Sequence, residues 1–164
     1  METFNWESFT KKIAVKSSIT KLYNAWTVPN ELKKWFLSKA LFYKPNGETV
    51  IPSQNVQQNY TYAWSWFLYD VIEKGEIKQA NGRDFLQFTF AGNCLVDIKL
   101  TQVNEVVIVE LTQSNIPTDN QSKRGIRLGC DSGWSFFLVN LKSVYEGGID
   151  LRNKDAKLKG MLNS

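Results

Sequence analysis

YTYAWSWFLY, residues 60–69, carries six aromatic side chains in ten positions. Read as a strand, it places Tyr60, Tyr62, Trp64, Trp66 and Leu68 on one face and Thr61, Ala63 and Ser65 on the other. A face this rich in rings needs a cover, and the surrounding chain says what kind. VIEKGEIKQ (71–79), FLQFTFAG (85–92), CLVDIKL (94–100) and VVIVELTQ (106–113) read as further strands. The Asn-Gly turn in ANGRD (80–84) and the short VNE (103–105) join them as hairpins. Leu86, Phe88 and Phe90 share a face, as do Cys94, Val96, Ile98 and Leu100, with Asp97 and Lys99 opposite. The result is an antiparallel sheet with one apolar side.

The cover lies near the C-terminus. From Asp131, read as the N-cap, Trp134, Phe137, Leu138, Leu141, Val144 and Tyr145 recur at a 3.6-residue period, and Gly147-Gly148 stops the helix. At the other end, SFTKKIAVK (8–16) reads as a strand with Phe9, Ile13 and Val15 on one face. SSITKLYNAWT (17–27) then switches to helical spacing at Ile19, Leu22, Tyr23 and Trp26, with Ser17 or Ser18 as cap. Pro29 is expected to break the chain, and NELKKWF to restart a second short helix capped by Asn30, with Leu32, Trp35 and Phe36 inward. Pro45, Asn46 and Gly47 mark a turn, and residues 50–57, with no clear period, a loop. The expected fold class is therefore α+β: a curved antiparallel sheet wrapped around a long C-terminal helix, with two short helices after the first strand.

The order of these elements resembles the helix-grip fold of the START-like (SRPBCC) superfamily. The motifs are similar to one branch, the activator of heat-shock protein 90 ATPase homologue family. LYNAWTVPNELKKWF carries Ala25, Trp26, Thr27, Pro29, Leu32, Trp35 and Phe36; GEIKQANGRDFLQFTF carries Gly75, Ile77, Leu86, Phe88, Thr89 and Phe90; Gly133-Trp134 stands in the last helix. Many members have a Pro before the first helix, where this chain has Ser17-Ser18. The resemblance implies either a ligand cavity between sheet and helix or a stress-related chaperone-interaction module with a filled core.

Composition narrows the functions. The chain has 164 residues, 43% hydrophobic and 22% charged, which suits a single domain over residues 1–150. Of the net charge of +4, three units fall on residues 151–164, through Arg152, Lys154, Lys157 and Lys159 against Asp155. That segment is expected to be a loose basic tail, and no folded basic groove for nucleic acid is expected. The N-terminal stretch has no signal-peptide pattern and no apolar run is long enough for a membrane span. Cys94 and Cys130, 36 positions apart, have no metal-ligand spacing and are read as reduced thiols of a cytoplasmic protein.

The chain contains no His, which removes the commonest general base and the Ser-His and Cys-His pairs. No phosphate-cradling glycine motif is present. Asp70, Glu73, Glu76 and Asp97 are expected to face solvent, Asp131 to cap a helix, and Arg127 to lie at the surface. No catalytic residue, metal or cofactor is assigned, and enzymatic activity is the least favoured class.

The ring-rich strand thus has two uses. Its side chains fill the space under the helix, or they line a gap that a ligand fills. Tyr and Trp carry polar ends that want partners, where a core built for stability alone would favour Leu, Ile and Val. This tilts the reading toward a cavity for an apolar or aromatic small molecule, lined by Tyr62, Trp64, Trp66, Phe88, Phe90, Ile98, Trp134, Leu138 and Leu141. A bulge that turned the rings outward would instead expose an apolar patch for a protein partner, such as a chaperone.

Overall fold

A computed structural model describes residues 4–164. Seven strands, β1 (Phe9–Val15), β2 (Lys39–Tyr43), β3 (Thr61–Ser65), β4 (Ile72–Ala80), β5 (Phe85–Phe90), β6 (Cys94–Val103) and β7 (Val106–Ser114), form one antiparallel sheet in the order β1-β7-β6-β5-β4-β3-β2. Helices α1 (Ile19–Thr27) and α2 (Pro29–Trp35) follow β1, as the change of period predicts. Between Ile77 and Gln79 the pairing of β4 with β5 steps by one residue. Such a step bends a strand and increases its twist. The sheet curves around the C-terminal helical run, which is the α+β helix-grip arrangement.

Two helix starts differ from the expectation. Ser18 caps α1 as predicted, accepting from the Lys21 N–H at 3.2 Å. Pro29 does not break the chain but opens α2 as its first residue, with Val28 rather than Asn30 at the N-cap. Proline suits that position because its fixed φ is helical and its missing N–H would have no partner there.

The long helix begins twelve residues before Asp131. Asp119 is the N-cap, accepting from the N–H groups of Gln121 and Ser122 at 3.0 Å each. From it run α3 (Asn120–Ser122), a π segment (Lys123–Leu128), α4 (Gly129–Lys142) and a second π segment (Ser143–Gly147). Gly148, at φ +75°, ends the run as expected. Asp131 therefore lies inside the run, bonded to Arg127 Nη1 at 2.8 Å and Lys11 Nζ at 2.6 Å. Arg127 is not a surface residue either. It is 6% exposed, held between the rings of Phe4 and Phe9 and donating to the Asn5 carbonyl.

The core is unusually aromatic. Phe36, at the end of α2, is 1% exposed and touches six other rings. It stacks on Trp134 with centroids 5.2 Å apart and meets Phe137 edge-on at 4.9 Å. Beneath it, Tyr62 and Trp64 stack at 3.8 Å.

Gly75 makes that stack possible. It pairs with Tyr62 across β3 and β4, and a Cβ there would lie 2.5 Å from the tyrosine ring. The missing side chain lets the ring lie across the strand so that the Tyr62 hydroxyl donates to the Thr89 carbonyl.

Candidate functional site

An open cleft of about 790 Å³ lies where β3 leaves the sheet. Its ring wall is made by Phe36, Trp66, Phe67, Phe90, Trp134 and Phe137. β3 ends at Ser65, so Trp66 and Phe67 are free of strand pairing, and Leu68 turns the chain at φ +63°. Tyr69 and Val71 form the rim, 60% and 58% exposed.

The helical run supplies Trp134 and Phe137 to this wall and also three glycines. Gly125, Gly129 and Gly133 stand four residues apart along the helical run and all line the cleft. A Cβ added to any of them would meet nothing within 4 Å. Glycine is a poor helix former, so three at this spacing cost helix stability and leave room instead of side chains.

Of the nine residues expected to line a ligand site, Trp66, Phe90 and Trp134 border this cleft. Tyr62, Trp64, Phe88, Ile98, Leu138 and Leu141 sit behind them, each 3% exposed or less and packed in the core. The rings of β3 are therefore packed in the core, and Trp66, just past the end of the strand, borders an open cleft. Phe67, Val71 and the glycine wall went unassigned. The four-residue glycine spacing was visible in the sequence and would have marked the helix face that stays open.

Glu73 was expected in solvent and instead lines the cleft, half-buried. It pairs with Trp64 across β3 and β4, and directly paired residues point to the same side of a sheet. Alternation from Ile77 through Gly75 carried the same signal. Its carboxylate accepts from the Ala91 N–H at 2.8 Å, in the turn between β5 and β6. Burial pushes its pKa above the usual carboxylate value, although backbone N–H groups of Ala91 and Gly92 pull the other way. Asp97, on the far face, is half-buried and accepts from Gln87 at 2.8 Å.

Two more polar features border the cleft. The Trp66 indole N–H is buried and has no hydrogen-bond partner among the described residues. Cys130 lines the cleft, and burial raises its thiol pKa to about 11, so it is a weak nucleophile.

The C-terminal segment closes one end. Arg152 donates to the carbonyls of Leu37 and Lys33 and to both oxygens of Asp150, and its side chain is 5% exposed. Asn140, fully buried in α4, donates to the Trp35 carbonyl and to Asp150, and accepts from the Leu151 N–H. Burial would raise the Asp150 pKa, but hydrogen bonds from Arg152, Lys154 and Asn140 hold it far below the usual carboxylate range. From this anchor the chain brings Asn153 and Met161 to the cleft.

No helix among the described residues is long and apolar enough to cross a membrane. A model of the family "Activator of Hsp90 ATPase homolog 1-like protein" matches residues 16–146. No curated protein matches the chain in sequence. Several solved structures share its fold. The solution structure of the Aha1 dimer from Colwellia psychrerythraea is 21% identical, with a TM-score of 0.66 over 86% of this chain and 97% of that one. An HSP90 activator from Plasmodium falciparum is 18% identical, with a TM-score of 0.61 over 84% of this chain and 95% of that one. DynU16, a putative protein in the dynemicin biosynthetic locus, is 18% identical, with a TM-score of 0.70 over 90% of this chain and 50% of that one.

Proposed function

This chain belongs to the Activator of Hsp90 ATPase homolog 1-like family, and from that premise we propose that it is a cytoplasmic binding protein for an apolar or aromatic small molecule. The observation that carries the reading is the cleft itself, walled by rings from both the sheet and the helix and left open at three glycines of the helical run. Ligand sites are mostly apolar concavities with a few polar groups that set orientation. Here the polar group is the Glu73 carboxylate. Affinity would come from burial, at about 25 cal/mol per Å² of apolar ligand surface. The cytoplasmic setting is supported by the two free cysteines, Cys94 and Cys130.

The test is tryptophan-fluorescence titration of the protein with a neutral naphthalene derivative. Gly129→Leu, which fills the helix wall, should abolish saturable binding while the thermal unfolding midpoint holds or rises. Equal affinity for the wild type and Gly129→Leu would contradict the reading.

A second reading, a chaperone-interaction module, is favoured by the family and by the exposed apolar rim at Tyr69, Val71 and Ile72. It predicts that Val71→Asp weakens retention of a purified chaperone of the Hsp90 type and that Gly129→Leu, on the helical wall of the cleft, does not.

A further inference from the structure

Charge in the cleft is lopsided. Among its lining residues the charged side chains are Glu73 and Arg152. Arg152 is paired with Asp150, at 2.8 Å, a carboxylate that also holds Lys154. Glu73 has no ion-pair partner among the described residues, and the groups that donate to it are the neutral backbone N–H groups of Ala91 and Gly92. The titratable groups whose fields it meets are the Tyr62 hydroxyl and the thiols of Cys94 and Cys130, all kept neutral by burial. A half-buried carboxylate without a cation is costly, and the cost falls when a cation arrives. Trp66, Phe90 and Trp134 line the same cleft, and the faces of aromatic rings attract ammonium groups once water is displaced.

Resting on the reading of the cleft as a ligand site, we propose that it selects an apolar amine, with the hydrophobic body against Trp66, Phe90 and Trp134 and the protonated nitrogen against the Glu73 carboxylate. An acidic ligand would meet the Glu73 charge with no free cation to offset it. A neutral one would leave that charge as unpaired as before. The competing account of Glu73 is structural, a carboxylate that holds the tight turn at Ala91 and Gly92, where φ is +53° and +82°. The two separate cleanly. Glu73→Gln keeps one oxygen acceptor for the Ala91 N–H while it removes the charge.

The experiment titrates wild type and Glu73→Gln with naphthylmethylamine, naphthylmethanol and naphthoate by calorimetry at neutral pH. In the wild type the amine should bind about tenfold more tightly than the alcohol, with naphthoate weakest, a difference of one decade in Kd. In Glu73→Gln the amine should fall to the level of the alcohol. Equal binding of amine and alcohol by the wild type, or an amine preference that survives in Glu73→Gln, overturns the charge selection and leaves the ligand site standing. If none of the three binds the wild type, the ligand site and this inference fall together.

Discussion

The two halves of YTYAWSWFLY end in opposite environments. Tyr62 and Trp64 are each 2% exposed, stacked on each other and closed over by Phe36 and Phe88. Two positions on, Trp66 stands at the wall of an open cleft. The residue types are the same, but the alternation breaks at Trp66-Phe67, which follow the last paired residue and both line the cleft. The difference comes from what faces each half. Trp64 is enclosed by Phe36, Phe42 and Phe88, whereas Trp66, past the last paired residue of β3, shares the cleft wall with Gly125, Gly129 and Gly133 as well as with Trp134 and Phe137. The cleft opens where the strand stops pairing and the helical run carries glycine.

That contrast can be attacked from the filled end first. Phe36→Ala removes the ring that touches six others and should cost about 3–5 kcal/mol in urea unfolding. A loss below about 1 kcal/mol would mean that the ring cluster is looser than described. Gly75→Ala forces a Cβ against the Tyr62 ring and should cost up to about 3 kcal/mol by overpacking. Adding Tyr62→Leu to it should recover part of that loss, and no recovery would remove the steric explanation.

Asp150→Asn tests the anchor that brings the C-terminal segment to the cleft. It leaves the nearly buried Arg152 guanidinium with a weaker partner and should cost about 2 kcal/mol at neutral pH. The sign with pH follows from the depressed carboxyl. Stability from Asp150 is fully present above its unfolded pKa of about 4 and is lost as pH falls below that. The variant should therefore lose less stability than the wild type on acidification, and parallel acid limbs would dismiss the anchor. The smallest expected effect belongs to the open end. Gly129→Ala, with nothing within 4 Å of its new Cβ, should raise stability by up to about 1 kcal/mol.

Legibility followed the reach of each interaction. Ser18 as a cap, the alternation of β5 and β6 and the stop at Gly148 are local patterns, and the chain reads correctly there. The start of the long helix was hidden for two local reasons. Gly125 and Gly129 look like helix breakers, and the π segment over Lys123–Leu128 shifts the apolar period before Trp134 picks it up again. Arg127 depends on Phe4 and Phe9 from the far end of the chain, which no pattern around residue 127 announces. Glu73 was legible by counting alternate residues back from Ile77, but its charge argued for solvent, and pairing with Trp64 decided against it.

The most direct measurement is a methyl NMR spectrum of isotopically labelled protein titrated with a neutral naphthalene derivative. The account predicts that the methyls of Val71, Val139 and Leu162, around the cleft, shift in a saturable way, while those of Ile98, Leu138 and Leu141, in the closed core, stay in place. Shifts concentrated on Ile98, Leu138 and Leu141 would contradict it, because the ligand would then lie under the helix in space described here as filled.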